Sequence, residues 1–139
     1  MELKIIESTE FVIPSLPPSV NAIYQIIFSQ RKVEMKPEVR LWKTQAKECV
    51  KKISPRDDDS FIRIIAEFHY DFFYGNGKLR KFDTPNLLKV LIDAIAEKNG
   101  FDDSVVKHGS WSSYHSEKEM VRVRVERVAV REKATGMDF

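Results

Sequence analysis

The chain has few of the features that mark secreted, membrane-spanning or strongly basic proteins. Cys49 is the only cysteine in 139 residues, so no internal disulfide can form, which fits a reducing compartment. No apolar run approaches the about 18 residues that a membrane span needs, and the N-terminal segment MELKIIESTE lacks the apolar centre of a signal peptide. The net charge is only +2. We therefore expect a cytoplasmic protein without membrane contact, in which any binding of a polyanion depends on local basic patches.

Several signatures of catalysis and of multidomain organisation are also missing. The sequence has no G-x-S-x-G nucleophile elbow, no Walker loop and no G-x-G-x-x-G motif. Gly75-Asn76-Gly77 is typical of a turn, and the histidines have no zinc-ligand spacing with Cys49. There is no internal repeat and no low-complexity linker. At 139 residues the chain is long enough for one domain with a real core, which we assign to 1–139 with its core at about 10–130.

The alternation of apolar and polar residues predicts a mixed α+β fold. The expected order is β-α-β-α-β-β, a mixed sheet with helices packed on it. The clearest strand alternates Val121, Val123 and Val125 with charged residues. The predicted elements are a strand near Glu10–Ile13, a helix from about Pro37 to Lys52, a strand Phe61–Phe73, a helix from about Pro85 to Asn99, strands Val105–His115 and Glu119–Val130, and a frayed tail from Arg131.

The second predicted helix has two unlike faces. Thr84 suits the N-cap, Pro85 the first helical position and Gly100 the C-terminal stop. An apolar face recurs at spacings of three and four, and a polar face recurs in the same way. The apolar face holds Leu87, Leu88, Leu91, Ile92 and Ile95. The polar face holds Asn86, Lys89, Asp93 and Glu97.

Further acids flank this helix in the stretch FDTPNLLKVLIDAIAEKNGFDDSVV. Asp83 lies just before it, and Asp102 and Asp103 lie just after it. Carboxylates, an amide and a lysine around one site are typical of metal-dependent phosphodiesterases, because Mg²⁺ is held by one or two carboxylates plus water and substrate oxygens. Two ordinary explanations stay open. Lys89 and Asp93 would form an exposed pair at i, i+4, and an acidic pair in a loop is commonly solvated.

The order of these residues resembles that of a known family. The core of the RusA-type Holliday junction resolvases reads roughly D-x-D-N-x-x-K-x-x-x-D-A-L, followed by a Gly and D-D-[ST]. The chain has these residues in the same order: Asp83, Asn86, Lys89, Asp93-Ala94-Ile95, Gly100 and Asp102-Asp103-Ser104. Its segment PSLPPSVNAIY at 14–24 is similar to the family's opening P-x-P-P-S-x-N, with Asn21 in the Asn place. The resemblance covers about residues 10–128.

The resemblance implies a magnesium-dependent endonuclease that cuts Holliday junctions or other branched DNA as a homodimer. It implies catalytic roles for Asp83, Lys89 and Asp103, with Asn86 holding a ligand carboxylate in place. The implied ligands of Mg²⁺, for which Mn²⁺ would substitute, are Asp83, Asp93, Asp102 and Asp103.

The chain departs from the family pattern at one position. Pro85 stands where the family has its second aspartate. Two hypotheses follow, a resolvase-type nuclease and a module that binds DNA junctions but has weak or lost cleavage. A third is a phage protein that binds another replication or recombination protein.

Two regions of the sequence are locally basic. Residues 29–52 hold eight Lys and Arg against three Glu, and a second group precedes the acidic stretch. Such groups neutralise phosphates and give salt-dependent affinity, although a solvated helix face explains the first region equally well. The candidate DNA-binding residues are Arg31, Lys32, Lys43, Lys47, Lys78, Arg80 and Lys81. Trp42 and Trp111 are expected in the core or at an interface.

Overall fold

A computed structural model describes residues 2–18, 24–54, 59–81 and 84–131. Within these ranges the chain forms six strands and two α-helices. They are β1 (Glu2–Ile13), β2 (Tyr24–Ile27), β3 (Lys32–Met35), α1 (Pro37–Cys49), β4 (Ser60–Tyr70), α2 (Thr84–Asn99), β5 (Val106–His115) and β6 (Met120–Arg131). Short 3₁₀ helices lie at Phe28–Gln30 and Asp103–Val105.

Four of the strands form one mixed sheet in the order β1-β6-β4-β5. β6 pairs antiparallel with both β1 and β4, whereas β4 and β5 are parallel neighbours. Parallel neighbours need a crossover connection, and α2 provides it. β2 and β3 form a separate antiparallel hairpin. The predicted α+β fold, a small domain with a mixed sheet and two helices, is confirmed.

One face of the sheet forms the core together with both helices. The alternation predicted for β4 is confirmed, because Ile62, Ile64, Ala66, Phe68 and Tyr70 are all buried. They pack in one cluster with the inward residues of β1 and β6 and with apolar residues of α1 and α2. On β6 the inward residues are Val121, Val123 and Val125, and on the helices they include Val39, Trp42, Leu87, Leu91 and Ile95.

Several predicted boundaries differ from the structure. β1 begins at Glu2 and not near Glu10, because its first half pairs with the end of β6 across a bulge between Ile5 and Glu7 that breaks the alternation. The β2–β3 hairpin was not predicted. Helix α1 ends at Cys49 and not Lys52, since Val50 is extended. Strand β4 ends at Tyr70 and not Phe73. The tail from 132 lies outside the described residues.

Helix α2 has the predicted bounds to within one residue, although Thr84 lies inside the helix and not at the N-cap. Of its predicted apolar face, Leu87, Leu88, Leu91 and Ile95 are buried and Ile92 is half-buried. Gly100 ends it with a φ of 75°, a left-handed conformation that favours glycine. The helix then lies close over β5, because a Cβ placed on Gly109 would be 3.3 Å from Ile92 Cδ1 and 3.7 Å from Leu88 Cδ2. This close approach brings the start of β5 and the preceding 3₁₀ helix beside the polar face of α2.

The two tryptophans have unlike environments. Trp42 is buried in α1, where its indole N–H donates to the Ser15 carbonyl at 3.3 Å. Trp111 on β5 is 44% exposed, so a place for it in the core is wrong and only the interface alternative stays a prediction. Among the described residues, neither helix has the length and apolar character needed to cross a membrane.

Candidate functional site

A cleft of about 270 Å³ lies between α2 and the segment that enters β5. Charged side chains of α2 and of the 3₁₀ helix before β5 meet there. Its lining residues are Pro85, Leu88, Lys89, Ile92, Asp93, Asp103 and Val106. Three of the predicted site residues, Lys89, Asp93 and Asp103, therefore share one cavity.

The local geometry of each element explains this meeting. Lys89 and Asp93 are four residues apart on α2, so they lie on one face of the helix. Gly100 ends the helix, and the 3₁₀ helix Asp103–Val105 turns the chain back to β5. Asp103 is thereby placed opposite the middle of α2. Asp83 and Asn21 lie outside the described residues.

Asp93 is half-buried among charged side chains of α1, α2 and the 3₁₀ helix. Burial raises the pKa of its carboxyl, and the nearby carboxylates Asp103 and Glu97 raise it as well. The ammonium groups of Lys43 and Lys89 oppose this rise without cancelling it. A carboxylate that is half-buried beside other carboxylates favours a neutralising partner, either a proton or a cation.

The structure separates the two neighbouring aspartates. Asp103 lines the cleft, whereas Asp102 caps the 3₁₀ helix by accepting the backbone N–H of Ser104 at 2.8 Å. This hydrogen bond lowers the pKa of Asp102. Asn86 lies on the first turn of α2, half-buried, and is not among the residues that line the cleft.

Helix α1 contributes two lysines to the neighbourhood of Asp93. Lys43 and Lys47 both form ion pairs with Glu97 of α2. Only 14% of the Lys43 side chain is exposed. Both lysines were predicted to bind DNA. In the structure their ammonium groups lie against the Glu97 carboxylate of α2. Their spacing of four on α1 was visible in the sequence, but their shared acceptor on α2 was not.

The ion pairs of Glu97 lead to a prediction about stability. Burial acts to raise the pKa of Glu97, but its bonds to Lys43 and Lys47 outweigh burial and lower it. A lowered pKa means that ionised Glu97 stabilises the fold above its unfolded-state pKa, and that this contribution is lost as the pH falls through the folded-state value. Glu97→Gln should cost about 0.5–1 kcal/mol at pH 7, because both pairs are partly exposed.

Urea unfolding at pH 7 and at pH 3 measures this effect. The difference between Glu97→Gln and the unmodified chain should shrink at pH 3, because the unfolded chain binds a proton at Glu97 more readily than the folded chain does as the pH falls. Glu48→Gln, at an exposed acid of α1, serves as the control and should change stability little at either pH. An equal cost of Glu97→Gln at both pH values would show that the ion pairs do not stabilise the fold.

The remaining predicted DNA-binding residues differ in their exposure and in the contacts that their charged groups make. Lys78 and Lys81 are exposed, in the connection that precedes α2. Arg80 is held by its neighbours, with Nη1 3.2 Å from the Asp71 carbonyl oxygen and 3.6 Å from a Glu119 carboxylate oxygen. Arg31 is exposed, and Lys32 is 3.3 Å from Glu34. Lys78 and Lys81 are thus exposed basic side chains in the segment that leads to α2.

The donor set of the cleft suits a hard cation. Asp93 and Asp103 provide carboxylate oxygens, and Mg²⁺ is held in proteins by one or two carboxylates with water completing its shell. No cluster of three or more His, Cys, Asp and Glu that could hold a metal occurs within the described ranges, from which Asp83 is missing. Two oxygen donors with no sulfur or imidazole fit Mg²⁺ or Mn²⁺ better than Zn²⁺.

Comparisons with known proteins add no family assignment. No protein-family model matches the chain. No curated protein matches it significantly. The fold and the cleft define an α+β domain with a lysine and two carboxylates facing one another, and these features carry the functional proposal.

Proposed function

We propose that the protein is a metal-dependent endodeoxyribonuclease that cleaves Holliday junctions or other branched DNA in recombination and repair. The observation that supports this most is the cleft in which Lys89, Asp93 and Asp103 meet. These residues are 14 positions apart at most, yet they come from two different elements. Their order in the chain also resembles that of the RusA-type resolvases.

Each side chain has a role in phosphodiester hydrolysis. Asp93 and Asp103 would hold Mg²⁺ or Mn²⁺, with Asp83 as a further ligand in the RusA-like pattern, whereas Asp102, also a ligand in that pattern, caps the 3₁₀ helix and would stay outside the metal shell. The cation, when bound, would polarise the scissile phosphate and lower the pKa of the attacking water. Lys89 would neutralise the negative charge that develops on the phosphate oxygens. Asn86 would hold a ligand carboxylate in its orientation.

A second candidate function follows from Pro85. This residue lines the same cleft as Asp93 and Asp103. It stands at the position where the RusA-type pattern has its second aspartate. The cleft therefore has one carboxylate fewer to hold a cation than the RusA-type pattern would provide. The alternative is a module that binds DNA junctions with weak or lost cleavage.

The proposed substrate is branched DNA such as a four-way junction. Two matched cuts are needed to resolve such a junction. A homodimer with two-fold symmetry would present two equivalent clefts to such a substrate. A labelled four-way junction distinguishes the two candidate functions. The nuclease would nick it in Mg²⁺ or Mn²⁺, whereas the binding module would only shift its mobility in a gel.

Neutralising the exposed lysines before α2 should weaken junction binding. Lys78→Gln with Lys81→Gln should reduce the slope of log affinity against log salt by about one per lost phosphate contact. Arg80 is left in place because it is held by Asp71 and Glu119. Fluorescence anisotropy across a salt series measures both affinity and slope.

The control for this prediction is Lys4→Gln, which removes an exposed charge from β1. It should leave the salt slope of junction binding unchanged. If the double variant keeps the affinity and slope of the unmodified chain, DNA does not contact the segment before α2.

A further inference from the structure

Between β4 and α2 the chain forms a small hairpin, Phe72–Arg80, which we name the aromatic hairpin. Its strands are joined by backbone hydrogen bonds from Tyr74 N to Lys78 O at 2.7 Å and from Arg80 N to Phe72 O at 2.6 Å. Gly77 has a φ of 81°, as a three-residue hairpin loop requires at this position. The hairpin is therefore a defined structure and not an irregular connection.

The base of the aromatic hairpin is braced. The Arg80 guanidinium donates to the Asp71 carbonyl and lies 5.7 Å from the ring centre of Tyr70 and 5.9 Å from that of Tyr74. The backbone N–H of Phe72 donates to His115 Nδ1 at 3.1 Å. These contacts connect the hairpin to the ends of β4 and β5 and fix the direction in which its tip projects.

Large apolar side chains nevertheless point into solvent from this hairpin. Phe73 is 47% exposed, Tyr74 is 54% exposed and Leu79 is 60% exposed. Phe73 and Leu79 form the isolated bridge that joins the two sides of the hairpin. A cluster of exposed apolar side chains on a braced element is typical of a binding surface.

The charge of the hairpin indicates what binds there. Residues 72–81 contain three basic residues and no acid. Lys78 and Lys81 are both exposed beside the aromatic side chains. Exposed aromatic rings stack on open base faces, and basic groups contact the phosphates beside them. The hairpin therefore suits a nucleic acid in which base faces are exposed.

The position of the hairpin relates it to the cleft. It ends at Arg80, and α2 begins at Thr84. The next residue, Pro85, lines the cleft with Lys89, Asp93 and Asp103. A nucleotide strand that extended from the hairpin to the cleft would pass the N-terminal end of α2.

We propose that the aromatic hairpin recognises the branch point of the DNA substrate. Phe73 and Tyr74 stack on the base faces that are exposed where base stacking is interrupted there, and Lys78 and Lys81 contact the adjoining phosphates. Linear duplex offers phosphates but no exposed base faces, so the hairpin gives the protein its preference for branched DNA. This inference rests on the proposed function, because it needs DNA as the ligand.

Anisotropy titrations test the inference with a four-way junction and a linear duplex of the same length, without divalent cation. Tyr74→Ala and Phe73→Ala should each weaken junction binding about 10-fold, as expected for the loss of one base–aromatic stack. Duplex affinity should stay within about 2-fold. The salt slope should not change, since no charge is removed. Tyr74→Phe keeps the ring and should bind the junction like the unmodified chain.

A matched control is Tyr114→Ala, at an exposed aromatic residue of β5, which should keep junction binding intact. A junction with 2-aminopurine at the branch point gives a second readout, because stacking on a protein ring changes its fluorescence. The unmodified chain and Tyr74→Phe should produce this change, and Tyr74→Ala should not. Thermal midpoints should be equal, because the substituted side chains are exposed.

Three outcomes would overturn the inference. If Tyr74→Ala and Phe73→Ala keep the full preference for the junction, the hairpin does not recognise the branch, although the proposed function survives. If the unmodified chain binds neither DNA, both proposals fail. If the two variants instead lose binding to vesicles containing phosphatidylserine and keep junction binding, the hairpin is a membrane-contact surface.

Discussion

Asp103→Asn is expected to abolish metal-dependent cleavage of a four-way junction while leaving junction binding within about 2-fold. The substitution keeps the size of the side chain but removes one of the two carboxylate charges that line the cleft. A bound cation supplies several kcal/mol of transition-state stabilisation, and each 1.36 kcal/mol is tenfold in rate. The single-turnover rate constant should therefore fall by about 10³-fold or more.

Asp102→Asn is the matched control for this substitution. Asp102 is adjacent in sequence, but its carboxylate accepts the Ser104 N–H, and it is not among the residues that line the cleft. Asparagine can accept the same hydrogen bond. Asp102→Asn should thus retain most of the cleavage rate. Full activity in Asp103→Asn would refute the catalytic assignment of the cleft.

Pro85→Asp is expected to raise magnesium-dependent cleavage by about 10-fold or more, if the proline has removed a cation ligand. Pro85 lines the cleft with Asp93 and Asp103, so an aspartate there adds a third carboxylate to the same cavity. An acid in the first turn of a helix is also stabilised by the helix dipole. The loss of proline should cost under about 1 kcal/mol through the greater freedom of the unfolded chain.

Pro85→Asn separates the effect of the new charge from that of removing the proline ring. It should leave the cleavage rate near that of the unmodified chain. If the unmodified chain already cleaves well and Pro85→Asp adds nothing, another carboxylate has taken the role of the missing acid. If Pro85→Asp is the active form, Asp103→Asn is measured in that background.

The fold was predictable where a single element carries its own pattern. The alternation in β4 and β6 predicted the core strands, although β4 ends three residues earlier than expected, and the helical periodicity with Gly100 predicted α2 to within one residue. The first half of β1 was not predictable, because its bulge between Ile5 and Glu7 and its exposed isoleucines hide the alternation. Its strand state depends on pairing with β6, which lies more than 100 residues away in sequence.

The candidate site was predictable in part for the same reason. The spacing of Lys89 and Asp93 on one helix face follows from helix geometry alone. The approach of Asp103 depends on how tightly the chain reverses after Gly100. No local pattern indicated that Asp102 would cap the 3₁₀ helix. Lys43 pairs with Glu97 and lies near Asp93 only because α1 packs against α2. No local sequence pattern encodes this packing.

The basic residues show how an ion pair changes an interpretation. Lys43, Lys47 and Arg80 look in the sequence like free cations near a site. In the structure their charged groups lie against Glu97, Asp71 or Glu119. Lys78 and Lys81 stay exposed, and the aromatic residues between β4 and α2 form a hairpin beside them. Fewer cations are thus available to contact phosphates than the sequence suggests.

Counting bound Mn²⁺ by electron paramagnetic resonance tests the central claim most directly, since the cleft is proposed as a cation site. The unmodified chain should bind Mn²⁺ in a form that Mg²⁺ displaces. Asp93→Asn with Asp103→Asn should lose this ion, and Asp102→Asn should keep it. Equal binding of Mn²⁺ by the double variant and the unmodified chain, or no binding by the unmodified chain, would contradict the proposal that Asp93 and Asp103 hold the catalytic cation.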